Sequence, residues 1–191
     1  MTVPTLDANT IVPFLADIFE RRGAEEYLGE QVTMAEHMLQ SAWFAEQDNA
    51  SDELVAAALL HDIGHFTNEF GAYSPCDTED KHHDHSGAEV LAPFFPPIVT
   101  ECVRLHVAAK RYLCATNPDY YTKLSEASTH TLSLQGGPMN DAEVAAFRTN
   151  PYYKDAVRVR LWDEAGKIAG MHTREFGDYT SLLQRVIERF L

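Results

Sequence analysis

The stretch SDELVAAALLHDIGH, residues 51–65, decides the fold. Ser51 is a good N-cap, and Asp52 and Glu53 put acids in the first turn, where they complement the helix dipole. Leu54, Ala57, Ala58 and His61 then follow the i, i+3, i+4, i+7 spacing, so a helix is predicted that turns His61 inward. Gly64 is placed to close that helix. The pair His61–Asp62 therefore falls at the end of an apolar helix. An adjacent His and Asp often occur by chance, and a lone histidine on an apolar face is usually a satisfied core residue. The pair gains meaning only from its surroundings.

Helical spacing continues on both sides. A segment from Thr10 to Arg22 comes first. A second, Gln31 to Gln47, sets Met34, Ser41 and Phe44 on the face of His37. Residues 66–82 read as a loop rich in turn formers, and His83 to Phe94 as a helix. Pro97 suits the first turn of a helix that carries Val99, Cys102, Val103, His106, Ala109 and Lys110 on one face. Asn117–Pro118 and Asn150–Pro151 have the form of an N-cap followed by a first-turn proline, and Asn140 with Glu143 forms a capping box. The segment Pro151 to Glu164, stopped by Gly166, sets Asp163 beside Ala156 and Val159, and a last helix covers Phe176 to Phe190. Two-residue alternation is scarce. The expectation is an all-α chain: a single domain over residues 1–191, built as an irregular helical bundle.

The bulk properties exclude several classes. The 191 residues are 45% hydrophobic, enough for a real core. No apolar run approaches membrane-spanning length, and no signal-peptide pattern opens the chain, so a cytoplasmic location is expected. A net charge of −14 argues against nucleic acid as a partner. Cys76, Cys102 and Cys114 have no CxxC spacing and read as ordinary thiols. Nothing here sets the oligomeric state.

Counted together, the polar residues on inward faces form a set. His37, His61 and His106 occupy three predicted helices and Asp163 a fourth. Burying them unpartnered would cost several kcal/mol. A shared divalent or trivalent cation resolves the conflict, because neutral imidazoles and carboxylates are the ligands it takes.

The order His37, His61–Asp62, His83, His106, Asp163 resembles the HD superfamily of metal-dependent hydrolases and oxygenases. The resemblance implies a dinuclear site with Asp62 as the bridge. His37, His61 and Asp163 would complete one metal, and His83 and His106 the other. His83 is preferred to His85 because it forms HxxxG with Gly87, the spacing the family shows. Four further stretches narrow the resemblance: Tyr27–Glu30 (YLGE), His106–Leu113 (HVAAKRYL), Leu124–Ser128 (LSEAS) and Leu134–Met139 (LQGGPM). Together they are similar to the mixed-valent diiron HD-domain oxygenases that cleave 1-hydroxyphosphonates, from about Ala16 to Lys167.

That family implies two Fe ions, Fe(II)/Fe(III), with a small-molecule hydroxyphosphonate and O2 as substrates. It also implies site roles. Lys110, one turn after His106 and facing inward, suits a dianion. His65, Lys110, Ser128, Thr131 and Gln135 would cage a phosphonate; the Ser/Thr/Gln trio alone reads equally as local capping. Glu30 would face the substrate's ammonium group. Tyr27 would occupy the open iron position until substrate displaces it. The residues alone are also compatible with a helix start at Tyr27–Glu30. Two substrates stay open, a 2-amino-1-hydroxyethylphosphonate giving glycine and its trimethylammonium analogue giving glycine betaine. The acidic stretch Tyr73 to Asp84, with Asp77, Glu79 and Asp80, favours the latter. Two other readings remain: an HD phosphohydrolase acting on a nucleotide or other phosphate ester, and a catalytically silent HD sensor.

Overall fold

A computed structural model describes residues 6–27, 29–70 and 83–191. At its centre is α3 (Asp52–Leu60), capped by Ser51, whose side chain accepts from the Leu54 amide. Every residue from Leu54 to Leu60 is buried. Four helices surround it: α2 (Met34–Gln47), α5 (Pro97–Thr116), α9 (Tyr153–Ala165) and α10 (Phe176–Phe190). The single inward face expected from the spacing was too narrow, because a helix that is apolar all round is buried all round. α1 (Ile11–Arg22) packs on α10, and α4 (His83–Leu91) packs on α5.

The smaller elements are α6 (Pro118–Tyr121), α7 (Glu126–Leu134) and α8 (Asp141–Phe147). Among the described residues there is no strand, only an isolated antiparallel bridge between Glu26 and Thr33. The all-α reading is therefore borne out. Asn117 caps α6, Asn140 and Glu143 form the capping box of α8, and Pro97 opens α5. Among the described residues, no helix is long and apolar enough to cross a membrane.

Several boundaries differ from expectation. α2 starts at Met34, not Gln31, because Thr33 and Glu36 make a reciprocal capping box and the Glu26–Thr33 bridge holds the preceding chain. α4 ends at Leu91 rather than Phe94. α9 begins at Tyr153: the Asn150 side chain accepts from the Tyr152 amide, so Asn150–Pro151 form a turn before the helix. Gly64 does not cap α3, which ends at Leu60. It lies in a 3-10 segment, Ile63–Phe70, where a Cβ would sit 1.8 Å from the His83 carbonyl oxygen. Its role is close packing against α4. That segment also overlaps the start of the expected loop; residues 71–82, with Cys76, Asp77, Glu79, Asp80 and His82, lie outside the described residues.

Candidate metal centre and anion cavity

Five helices, or the residues just past their ends, deliver polar groups to one buried point. His37 comes from α2, His61 and Asp62 follow the last turn of α3, His83 is the first residue of α4, His106 lies mid-way along α5, and Asp163 lies near the end of α9. All are buried except His83, which is half-buried.

They form two clusters that share Asp62. In the inner one, His37 Nε2 and His61 Nε2 are 3.0 Å apart, and each lies 3.4 Å from Asp62 Oδ2. Asp163 Oδ1 is 3.5 Å from His37 Nε2. In the outer one, His83 Nε2 and His106 Nε2 are 3.0 Å apart, and each lies 3.4 Å from Asp62 Oδ1. His85 is on the surface, paired with Asp84 at 3.0 Å.

The ring orientations are fixed from behind. His37 Nδ1 faces the Gly166 carbonyl at 2.9 Å, His61 Nδ1 the Ala58 carbonyl at 2.8 Å, and His106 Nδ1 the Val103 carbonyl at 2.7 Å. A carbonyl only accepts, so each Nδ1 carries the proton and each Nε2 presents a lone pair inward. Two lone pairs 3.0 Å apart repel unless a cation lies between them. The buried oxygens Asp62 Oδ2 and Asp163 Oδ1 also have no hydrogen-bond donor. Burial lowers the affinity of His61 for a proton, yet Asp62 and Asp163 outweigh it and bring its pKa up to about 9. The centre thus demands positive charge. The nitrogen spacing suits a metal, because ~3.0 Å is the edge of an octahedron with metal–nitrogen bonds of ~2.1 Å. The residues present fit a metal at each cluster.

Among the described residues, a cavity opens on the outer cluster. Tyr27, Asp62, His65, His83, His106, Lys110, Ser128, Thr131, Gln135 and Arg160 contribute to its wall, whereas His37, His61 and Asp163 do not. Its non-atom space, mouth included, is about 310 Å³. Lys110 is buried and donates to Thr131 Oγ1 at 3.0 Å. His65 stacks on His83, with ring centroids 4.4 Å apart. Tyr27 stacks on His37 at 4.0 Å, and burial with the nearby Asp62 and Asp163 holds its phenol well above its usual pKa. Tyr27 and Glu30 lie in a tight turn with Gly29 at φ 81°, not in a helix.

Of the residues expected to contact substrate, Glu30 is the one that does not line this cavity. Its carboxylate accepts from Ser125 Oγ at 2.5 Å and lies 3.6 Å from Lys167 Nζ. The sequence reading also missed Arg160. That buried guanidinium binds Asp163 and Glu164 and donates to the Tyr120 hydroxyl at 2.7 Å. Arg160, with His61 and His37, holds the Asp163 carboxyl far below its usual range despite burial. The signal lay in the spacing of Arg160, Asp163, Glu164 and Lys167 along one helix and its end, which on its own also describes a solvated face.

The HD-domain profile matches residues 34–164, which contain every residue of both clusters. The chain belongs to the HD-domain family. This HD-domain chain is 56% identical over 189 residues to the glycine-betaine-forming [1-hydroxy-2-(trimethylamino)ethyl]phosphonate dioxygenase of Leisingera caerulea, covering 99% of this chain and 96% of that protein. It is 42% identical over 178 residues to the hydroxymethylphosphonate dioxygenase of Gimesia maris, covering 93% and 88%. An uncharacterised protein of Acanthamoeba polyphaga mimivirus is 30% identical over 183 residues.

Proposed function

We propose that this HD-domain protein is a diiron dioxygenase that cleaves the C–P bond of a 1-hydroxy-2-(trimethylammonio)ethylphosphonate. The products are glycine betaine and inorganic phosphate; the four-electron oxidation of C1 consumes one O2. The observation that carries the reading is a buried lysine, Lys110, in the same cavity as the outer histidine pair. Such a wall suits a substrate that brings a dianionic group to a metal. The nearly full-length likeness to a dioxygenase of that name supports the same substrate.

When bound, the two irons supply the redox chemistry with O2. The chain does the rest. His37, His61 and Asp163 would hold the inner metal and His83 and His106 the outer one, with Asp62 shared between the two. His65, Lys110, Ser128, Thr131 and Gln135 bind the phosphonate oxygens and fix the orientation of C1. Buried walls keep water from the reacting carbon. Tyr27, stacked on His37, would occupy the open metal position until substrate displaces it. Glu30 faces the cationic end once its carboxylate turns from Ser125; unchanged substrate affinity in Glu30→Gln rules that role out.

The reading is tested by anaerobic purification, iron quantification and electron paramagnetic resonance before and after each hydroxyphosphonate is added. About two irons per chain and a mixed-valent signal perturbed by the trimethylammonium compound are expected. Stronger perturbation and turnover with the primary amine corrects the substrate. One non-redox metal, silent to both compounds, overturns the oxygenase and points to phosphate ester hydrolysis.

A further inference from the structure

The cavity wall at Ser128 has a second layer behind it. Lys167 Nζ donates to Ser128 Oγ at 2.7 Å and to Glu164 Oε2 at 3.0 Å. The Ser128 hydroxyl gives its own proton to the same Glu164 Oε2 at 3.2 Å. Arg160 binds that oxygen too. Glu164 Oε2 thus has three donors, although a carboxylate oxygen offers about two lone pairs. The hydroxyl is the longest of the three and the one that can turn away. An ammonium group has no acceptor. Toward Ser128, Lys167 therefore only donates, and it cannot compete for the hydroxyl proton. Ser128 lines the cavity; Lys167 lies half-buried behind it.

We propose that Lys167 is a positioning residue that makes Ser128 a hydrogen-bond donor to the anion in the cavity. It fills the acceptor side of Ser128 Oγ and, with Arg160, satisfies Glu164. The Ser128 proton is then released toward an arriving phosphonate oxygen without leaving the half-buried Glu164 carboxylate unsatisfied. The identity of that anion rests on the dioxygenase reading above; the hydrogen-bond arrangement does not. A merely structural role would run through Glu30, which Lys167 also approaches at 3.6 Å.

Wild type, Lys167→Met, Lys167→Arg, Ser128→Ala and the Lys167→Met/Ser128→Ala double variant separate the two roles. Each is loaded with iron anaerobically and checked for metal content. Binding of inorganic phosphate is followed by calorimetry, and hydroxyphosphonate turnover gives KM and kcat. Lys167→Met and Ser128→Ala are each expected to weaken phosphate binding and raise KM about tenfold, the scale of one hydrogen bond to a charged group, with kcat and iron content little changed. The double variant is expected to stay within about twofold of Ser128→Ala, because the two residues act through one hydroxyl. Lys167→Arg, which keeps a donor, is expected to retain most of the affinity. Multiplying effects, about a hundredfold in the double variant, overturn the proposal and leave Lys167 a structural residue. Wild type that binds phosphate but turns over no hydroxyphosphonate removes the substrate reading, and the calorimetry still decides the Lys167–Ser128 coupling. Wild type that binds neither overturns both.

Discussion

Asp62 directs one carboxylate oxygen to each histidine pair, Oδ2 to the inner and Oδ1 to the outer. Its removal takes a ligand from both clusters. Asp62→Ala is expected to reduce bound metal from about two per chain to near none, as counted by elemental analysis of the purified protein. His83→Ala is expected to lose one metal, and His85→Ala none, since His85 is exposed and turned to Asp84. At this scale much of the centre was legible. Inward spacing alone put His37, His61, His106 and Asp163 together. Choosing His83 took family resemblance, because two histidines two residues apart look alike until the backbone places them. Arg160 was not legible, since a cation three residues before an acid is ordinary on any exposed helix. Glu30 stood in a recognisable stretch, yet its contacts with Ser125 and Lys167 bring together residues nearly a hundred or more positions apart.

At the scale of elements, the centre depends on how closely helices approach. A Cβ at Gly64 would collide with the His83 carbonyl, a backbone atom that cannot turn aside. Gly64→Ala is expected to push the 3-10 segment off α4. It should destabilise the protein by about 1–3 kcal/mol or more in chemical unfolding and empty the outer cluster first. Gly166 ends α9 where a Cβ would meet Ser41 Oγ at 2.6 Å, and its carbonyl orients His37. Helix existence was readable because each pattern is local. The boundaries at Met34, Tyr153 and Gly64 were not. They are set by a bridge, a turn and a cross-helix contact, which involve residues the local pattern does not see.

For the whole molecule, the centre joins α2, α3, α4, α5 and α9, so metal occupancy and folding are linked. Chelation is expected to lower the thermal unfolding midpoint, and metal present at about a thousand times its dissociation constant adds about 4 kcal/mol. Acid should also act on the Arg160–Glu164–Lys167 network. Burial raises the Glu164 carboxyl, but Arg160 and Lys167 outweigh it and leave it below its ordinary value. A depressed carboxylate contributes stability that is present above its unfolded pKa and lost as pH falls through its folded one. The unfolding midpoint should therefore show no loss from this group between neutrality and about pH 5. In Glu164→Gln the decline below that range should be shallower than in wild type.

The cavity touches His83, His106 and Asp62 but not His37, His61 or Asp163. With both metals bound, the centre would, among the described residues, be a blind corridor with one door. The inner ion would then have to enter before the outer ion closes the passage, and would leave only after the outer one has gone. Exchange would then be sequential: last in, first out. A chelator time course, with metal counted at each point, is expected to pass through a one-metal protein that keeps its inner ion; loss of both ions in one phase would show a second way in.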